Sequence, residues 1–213
     1  MTFRVAEIFR SLQGESTHAG RPCTFIRLAG CNLDCAWCDT RYARSGGRPM
    51  TLSAVLAKVR ALRCGLVDVT GGEPLLQEGT PSLLQALVER RHSVLLETNG
   101  TLPLDSVPSR VIKIVDVKTP GSRAQVPFCM ANLRRLSAMD EVKFVISDAR
   151  DYTFAKTFIK RHRLASTCVC LLSPGVPALD PARLADWMVR DHLPARLNLQ
   201  LHKILWPNRK RGV

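Results

Sequence analysis

The sequence predicts an α/β fold, specifically an incomplete TIM-type barrel of about six parallel strands with helices on the outside. Continuous apolar segments alternate along the 213-residue chain with segments whose apolar residues recur at helical spacing. This alternation is typical of a parallel sheet covered by helices. Six such units fall short of a complete (β/α)8 barrel. Because no repeat, low-complexity tract or interdomain linker interrupts the pattern, residues 1–213 are expected to form a single domain.

The predicted elements follow one another in a regular order after a short N-terminal element. A buried strand is predicted at Cys23 to Gly30, and a helix at Leu52 to Leu62 because residues 52, 55, 56, 59 and 62 are apolar. Five further strands are predicted at 66–70, 93–98, 111–117, 141–146 and 167–172. Three further helices are predicted at 81–91, 150–162 and 181–192, with Asp148 capping the second of these. Apolar alternation in 196–205 indicates an edge strand or an extended closing segment.

Loops with chemically useful side chains follow several of these strands. Functional loops of such a barrel lie at the carboxyl ends of its strands. The sequence places five there, at 31–40, 71–74, 98–100, 118–119 and 147–148. A functional site is therefore expected at this end of the barrel.

The composition limits the classes of binding partner and the cellular locations that suit this chain. The formal net charge of +13 suits either a nucleic acid or a small anionic substrate. The basic residues are dispersed and lack interleaved aromatic residues, which favours a solvated basic surface without direct nucleic-acid contact. No apolar run approaches the roughly 20 residues of a membrane span, and charges in residues 1–13 argue against a signal peptide. A cytoplasmic protein is expected.

The segment CNLDCAWCDT places Cys31, Cys35 and Cys38 in a C-x3-C-x2-C pattern. In a chain without an export signal, cysteines indicate metal binding or reduced thiols more than disulfides. A structural zinc site normally has four protein ligands, whereas an iron–sulfur cluster with one open iron needs three. The pattern therefore favours the cluster. The other five cysteines are interpreted as small buried hydrophobic residues rather than a second cluster; they are Cys23, Cys64, Cys129, Cys168 and Cys170.

Together with Trp37 and the GGEP segment at 71–74, this pattern resembles the signature of the radical S-adenosylmethionine (SAM) enzymes. In that family three thiolates hold a 4Fe-4S cluster, and the amine and carboxylate of SAM chelate the open iron. Reduction of the cluster then yields a 5′-deoxyadenosyl radical. The resemblance implies both cofactors, the family's partial barrel, and an electron donor such as flavodoxin or ferredoxin. A homodimer is also implied.

Finer resemblance extends over nearly the whole chain. It points to the branch of the family that converts 6-carboxy-5,6,7,8-tetrahydropterin into 7-carboxy-7-deazaguanine, with loss of ammonia and with help from Mg²⁺. This resemblance implies a carbon–nitrogen lyase of queuosine or deazapurine biosynthesis. The matching segments are EIFRSLQGES (7–16), FIRLAGC (25–31), CAWCDT (35–40), TGGEP (70–74), ETNGT (97–101), DVKTP (116–120), KFVISDARDY (143–152) and QLHKILWP (200–207).

The resemblance also implies roles for individual residues. Cys31, Cys35 and Cys38 match the cluster ligands, and Thr40 matches the Mg²⁺ ligand. The substrate positions are Leu12, Gln13, Gly14, Glu15, Arg27, Thr70 and Pro207. The SAM positions are Trp37, Cys38, Asp39, Gly72, Glu73, Lys118, Ser147, Asp148, Ser173 and Pro174. No side chain is assigned as a catalytic acid or base, because the radical on the cofactor carries the reaction.

From the residues alone, several of these positions have plainer interpretations. Thr40 would be a loop-capping hydroxyl, Arg27 half of a structural ion pair, Gln13 part of a turn and Asp148 a helix cap. The chain also departs from the family at its end, where RKRGV follows Trp206, Pro207 and Asn208. Either Pro207 or this terminal segment is expected to reach the substrate.

Two other functions remain as alternatives. An activating enzyme that installs a glycyl radical in a partner protein is also a short radical enzyme, although the QGE segment at 13–15 and the QLHK segment at 200–203 argue against it. A basic RNA-binding protein with a zinc knuckle would bind zinc and show salt-dependent RNA binding. Brown anaerobic protein with about four irons would exclude the zinc alternative.

Overall fold

A computed structural model describes residues 1–124 and 126–213 of the chain. The strands are β1 (Thr2–Leu12), β2 (Pro22–Leu28), β3 (Arg48–Thr51), β4 (Leu66–Gly71), β5 (Ser93–Thr98), β6 (Ile112–Asp116), β7 (Glu141–Ile146), β8 (Val169–Pro174) and β9 (Arg196–Leu197). The helices are α1 (Leu52–Leu62), α2 (Thr80–Glu89), α3 (Ala149–Arg161), α4 (Pro181–Arg190) and α5 (Leu201–Leu205). Short 3-10 turns lie between them.

All of these strands belong to one sheet, in the order β3, β1, β2, β4, β5, β6, β7, β8, β9. The six strands β2 and β4 to β8 pair in parallel, which confirms the predicted partial barrel. At one edge β1 and β3 add antiparallel pairs, and at the other β9 adds a short parallel pair. Within the described residues β3 and β9 do not pair with each other, so the barrel stays open.

The two faces of the sheet differ because successive side chains on a strand point to opposite sides. The outer face is apolar, and residues such as Ile26, Val69 and Leu96 pack against α1 and α2. A second apolar cluster joins β7 and β8 to α3 and α4. The inner face is apolar only near the start of the strands, at Cys23, Phe25, Leu66, Leu95 and Ile114. Toward the carboxyl ends it turns polar, with Arg27, Asp68, Thr70, Glu97, Asp116 and Lys143.

Two segments differ from the sequence-based expectation. The N-terminal element is an eleven-residue strand, β1, that pairs with both β2 and β3. The closing segment is not an extended edge strand: after the two residues of β9 it turns into α5. The reason is that its backbone bonds to the opposite side of the barrel, where Leu201 N donates to Gly14 O at 2.8 Å. Its apolar residues Ile204 and Leu205 consequently remain exposed.

Other predicted boundaries agree closely. α1, β5 and β7 have the predicted limits, and the Asp148 side chain caps α3 by accepting a hydrogen bond from Asp151 N. The helix predicted at 81–91 ends at Glu89, because Arg91 adopts a left-handed conformation with φ of 63°. No helix in the described part of the chain has the length and apolar character to cross a membrane.

Candidate active site

The loops that follow β2 and β4 are bonded to each other at the carboxyl end of the barrel. Gly72 N donates to Leu28 O at 3.1 Å, and Glu73 N donates to Gly30 O at 2.7 Å. A Cβ on Gly72 would overlap the Gly30 carbonyl and lie 2.8 Å from Cys31 Cβ. The Gly-Gly turn therefore allows the β4 loop to lie directly against the start of the cysteine loop.

Glu73 holds the β4 loop in this position through hydrogen bonds to neighbouring loops. Its buried carboxylate accepts hydrogen bonds from Asn99 N at 2.7 Å, from Leu75 N at 3.0 Å and from the Thr98 hydroxyl at 2.9 Å. Burial raises the pKa of Glu73, while the bonds from the backbone amides oppose that effect. The side chain thus ties the β4 loop to the β5 loop; its predicted contact with the cofactor stays a prediction.

Cys31, Cys35 and Cys38 lie on one loop and are buried or half-buried free thiols. Leu33 N donates to Cys31 Sγ at 3.5 Å, and Cys38 Sγ lies 3.8 Å from the Thr40 hydroxyl oxygen. Burial raises the pKa of Cys31 and of Cys35, and the positive charge of Lys118 acts in the opposite direction on both. Among the described residues no fourth ligand joins these three thiols, and three thiols beside a cationic side chain suit an open iron–sulfur cluster better than a closed zinc site.

The described residues contain no group of three or more His, Cys, Asp or Glu side chains arranged around a single metal ion.

Lys118 is part of a row of buried, ion-paired side chains on the inner face of the barrel. Its Nζ lies 2.8 Å from Asp116 Oδ2, and Lys143 Nζ lies 3.9 Å from the same oxygen. Lys143 also pairs with Glu15 at 2.7 Å. Burial is the largest single influence and would lower the pKa of Lys118, but the charges of Asp116 and Cys35 together with the hydrogen bond to Asp116 outweigh burial and raise that pKa. Likewise, burial would raise the pKa of Glu15, but the charge and hydrogen bond of Lys143, together with the Gln200 hydrogen bond and His202, outweigh burial and lower that pKa to about 2. Lys118, Lys143 and Glu15 therefore keep their charges.

Arg27 is held by a partner that the sequence analysis did not assign. Its Nε lies 2.9 Å from Glu7 Oε1, and the same carboxylate accepts the Tyr42 hydroxyl at 2.5 Å. Among the described residues the two terminal nitrogens of Arg27 have no hydrogen-bond partner. The guanidinium of Arg211 lies 4.4 Å from the centroid of the Tyr42 ring. Glu7 lies within the family-like segment 7–16, but nothing in its spacing indicated this pairing.

Gln13 and Thr70 also bond to acidic residues that the sequence analysis missed. Gln13 Nε2 donates to Asp68 Oδ2 at 2.5 Å, and Gln13 Oε1 accepts from Glu15 N at 3.0 Å. The Thr70 hydroxyl donates to Glu97 Oε2 at 3.0 Å. Asp68 and Glu97 lie in apolar strands, LVDVT and SVLLET, where an acidic residue at an inward position was the available signal.

Several predicted SAM positions make protein contacts of their own. Ser147 Oγ bonds to Asp151 Oδ2 at 2.5 Å, and Ser173 Oγ accepts from Asn198 Nδ2 at 2.8 Å. Asp148 is a helix cap, which is its plainer interpretation. Of the other predicted SAM positions, Pro174 ends β8, and Trp37 and Asp39 lie on the cysteine loop. Of the predicted substrate positions, Leu12 ends β1 and Pro207 is exposed after α5.

Comparisons with known proteins agree with this site. The family model of the radical SAM superfamily matches residues 25–118, which include the cysteine loop and the Gly-Gly turn. The SuiB crystal structure from Streptococcus suis bound to S-adenosylmethionine has a similar fold, with a TM-score of 0.54 over 80% of this chain and 44% of that one, at 15% identity. The fold and the site define a radical SAM protein.

Relatives that match nearly the whole chain identify a particular family. The chain is 46% identical over 212 residues to the 7-carboxy-7-deazaguanine synthase of Chlorobaculum tepidum, covering 98% of this chain and 96% of the relative. It is 44% identical over 225 residues to the synthase of Koribacter versatilis, covering 99% and 100%. The crystal structure of QueE from Escherichia coli shares the fold, with a TM-score of 0.80 over 95% of each chain at 24% identity. The chain belongs to the 7-carboxy-7-deazaguanine synthase family.

Proposed function

We propose that the chain converts 6-carboxy-5,6,7,8-tetrahydropterin into 7-carboxy-7-deazaguanine with loss of ammonia. The observation that carries this proposal is the inner face of the barrel beneath the cysteine loop. There Arg27, Gln13, Glu15 and Thr70 surround the polar end of an otherwise apolar barrel. A charged guanidinium with free terminal nitrogens suits a carboxylate, and the neighbouring amide, carboxylate and hydroxyl groups suit the hydrogen-bonding edge of a pterin.

Cys31, Cys35 and Cys38 would hold three irons of a 4Fe-4S cluster. When bound, the cluster and SAM would supply the radical chemistry for abstraction of a hydrogen atom from C6 of the pterin. Lys118 would neutralise the methionyl carboxylate, and the backbone of the turn at Gly71 and Gly72 would bind the methionyl amine. The raised pKa of Lys118 supports this role, since the side chain keeps its charge.

The adenosine end of SAM would lie along the loops after β7 and β8. Ser147, Asp148, Ser173 and Pro174 end or follow those strands. Trp37, Cys38 and Asp39 would border the cofactor from the cysteine loop, and Glu73 would keep the Gly-Gly turn in place. The protein's task is to orient the cofactor toward the substrate and to exclude water from the radical.

The pterin would bind between the turn after β1 and the start of the cysteine loop. The terminal nitrogens of Arg27 would bind its carboxylate, while Glu7 fixes the Arg27 side chain through Nε. Glu15, which is ionised, would accept hydrogen bonds from the aminopyrimidine edge. Leu12, Gly14 and Thr70 would border the ring, and Pro207 would approach from the C-terminal segment.

Thr40 would contact Mg²⁺ through its hydroxyl. This cation prefers oxygen ligands and keeps several waters, so one protein hydroxyl together with substrate oxygens is a sufficient set. The Thr40 hydroxyl lies beside Cys38 and thus joins the proposed Mg²⁺ position to the cluster loop.

Further proposals concern the protein as a whole. Residues 1–213 would act as a single domain, with an electron donor such as flavodoxin or ferredoxin as the reductant and a homodimer as the assembly. All eight cysteines are free thiols, which suits a reducing compartment such as the cytoplasm.

The decisive experiment is anaerobic turnover by the reconstituted protein. With 6-carboxytetrahydropterin, SAM and a reductant, mass spectrometry should detect 7-carboxy-7-deazaguanine, and omission of Mg²⁺ should reduce its yield. Cleavage of SAM without conversion of the pterin would overturn the substrate assignment while leaving the radical chemistry intact.

A further inference from the structure

Asp68 is a fully buried carboxyl group that forms no ion pair with any of the described basic residues. It lies on the inner face of β4 and has 0% exposure. Its Oδ2 accepts the hydrogen bond from Gln13, but its Oδ1 has no hydrogen-bond partner in the described part of the protein. An ionised carboxylate in this setting is costly, because neither a cation nor a donor compensates for the lost water at Oδ1.

Glu97 provides the explanation for the unpartnered oxygen. β4 and β5 are adjacent parallel strands, and Asp68 is paired in register with Leu95, two residues before Glu97 on the same face. The two carboxyl groups are therefore neighbours on the inner face, and Glu97 is one cause of the raised pKa of Asp68. Two carboxylates cannot bond unless one of them carries a proton. Thr70 already donates to Glu97 Oε2, whereas Asp68 Oδ1 has no partner among the described residues, so a proton on Asp68 Oδ1 would supply the missing hydrogen bond.

We propose that Asp68 is protonated at Oδ1, donates a hydrogen bond to Glu97, and acts as a positioning residue for the pterin site. The neighbouring groups agree with this assignment. Burial, followed by the charge of Glu97, raises the pKa of Asp68 well above its usual range. The positive charge of Arg27 on β2 lowers the pKa of Asp68, but Arg27 is already paired with Glu7. Cys23 on β2 stays neutral because burial raises its pKa.

The proton on Asp68 has a consequence for the substrate, which rests on the proposed function. Asp68 Oδ2 takes one N–H of the Gln13 amide, and Glu15 N donates to Gln13 Oε1. The amide is therefore fixed in one orientation, and its second N–H, which has no acceptor among the described residues, would be available to an acceptor on the ligand. Asp68 would thereby select a ligand edge that offers an acceptor to Gln13.

The test compares Asp68→Asn with Asp68→Ala. Asparagine reproduces the neutral group, since its amide N–H donates to Glu97 and its oxygen accepts from Gln13. We expect Asp68→Asn to keep kcat/KM for the pterin within about threefold, and Asp68→Ala to raise KM by about tenfold or more, the loss typical of a buried hydrogen-bond network. Wild-type turnover should fall at alkaline pH as Asp68 loses its proton, and this fall should be absent in Asp68→Asn.

Infrared spectroscopy tests whether Asp68 is protonated, independently of any measurement of turnover. The wild-type protein near neutral pH should show a protonated-carboxyl C=O band that shifts in D2O, and Asp68→Asn should lack the part due to Asp68. If no band is lost, or if Asp68→Asn raises KM as much as Asp68→Ala, the proposal is overturned. If the band is lost but the wild-type protein does not convert the pterin, the proton assignment stands and the proposed function fails.

Discussion

Lys203 Nζ in α5 lies 3.3 Å from Asp39 Oδ2 in the cysteine loop. The same lysine donates to Gln200 Oε1 at 2.7 Å, and Gln200 Nε2 donates to Glu15 Oε1 at 2.7 Å. These contacts form a row that connects the cysteine loop to the turn after β1. Because Lys203 and Asp39 are partly exposed, the pair adds little stability, and its effect is mainly on orientation. The C-terminal segment thus joins the two loops proposed to hold SAM and the pterin.

Gly14 allows this segment to lie close to the turn. A Cβ at position 14 would come 2.5 Å from His202 Nδ1 and 3.2 Å from His202 N. Gly14→Ala is therefore expected to displace α5, raise KM for the pterin and lower the free energy of unfolding by about 1–3 kcal/mol. Gly65→Ala is the matched control, because a Cβ there meets nothing within 4 Å. Steady-state kinetics and thermal unfolding of both variants check the prediction; equal behaviour of the two would contradict it.

The sheet and the cysteine loop were accessible to sequence reasoning because both rest on local patterns. β5 and β7 are mainly apolar segments with the predicted limits, and the spacing of Cys31, Cys35 and Cys38 is a local feature of one loop. α5 was not accessible. Its conformation depends on bonds to Gly14 and Glu15, which are about 185 residues away.

The acidic residues of the inner face were missed for a similar reason. Glu7, Asp68 and Glu97 lie on three different strands, and each acquires its role from a side chain on another element. Within a single strand, each acidic residue is one polar position among apolar ones. Sheet register brings them together, and the sequence pattern does not specify the resulting partners.

Gly72 tests the contact between the β4 loop and the cysteine loop. Any Cβ there would overlap the Gly30 carbonyl, and backbone atoms cannot rotate away as a side chain does. Gly72→Ala is expected to displace Cys31 and to lower both the iron bound per chain and the rate of SAM cleavage. Iron analysis and SAM cleavage after anaerobic reconstitution provide the measurement, again with Gly65→Ala as the control. A full complement of iron with normal SAM cleavage would show that the loops adjust without cost.

Thr40→Ala tests the proposed Mg²⁺ ligand. Loss of the hydroxyl should abolish the stimulation of pterin turnover by Mg²⁺ while leaving the bound iron unchanged, because Cys38 keeps its own position. Thr40→Ser retains the hydroxyl and should keep most of the stimulation. Turnover measured over a range of Mg²⁺ concentrations separates the two variants. The proposed role of Thr40 fails if the alanine variant responds to Mg²⁺ as the wild-type protein does.

Lys143→Met tests the buried ion pair with Glu15. Removal of the lysine leaves the Glu15 carboxylate buried without its cation, which is expected to cost about 3–5 kcal/mol of stability. The wild-type pair also predicts a pH dependence. The pKa of Glu15 falls from 4.5 to about 2 on folding, so its stabilising effect is complete above pH 4.5 and is lost as the pH falls toward 2.

Urea unfolding of the wild-type and Lys143→Met proteins between pH 3 and pH 7 measures both effects. The cost of losing the lysine is the difference between their free energies of unfolding at pH 7. The pH dependence is the decrease of that difference as the pH falls. The double variant Glu15→Gln and Lys143→Met is the control, because it removes both charges and should recover part of the lost stability. A pH-independent difference between wild-type and Lys143→Met would mean that Lys143 acts through packing of its aliphatic stem instead of through the charge of Glu15.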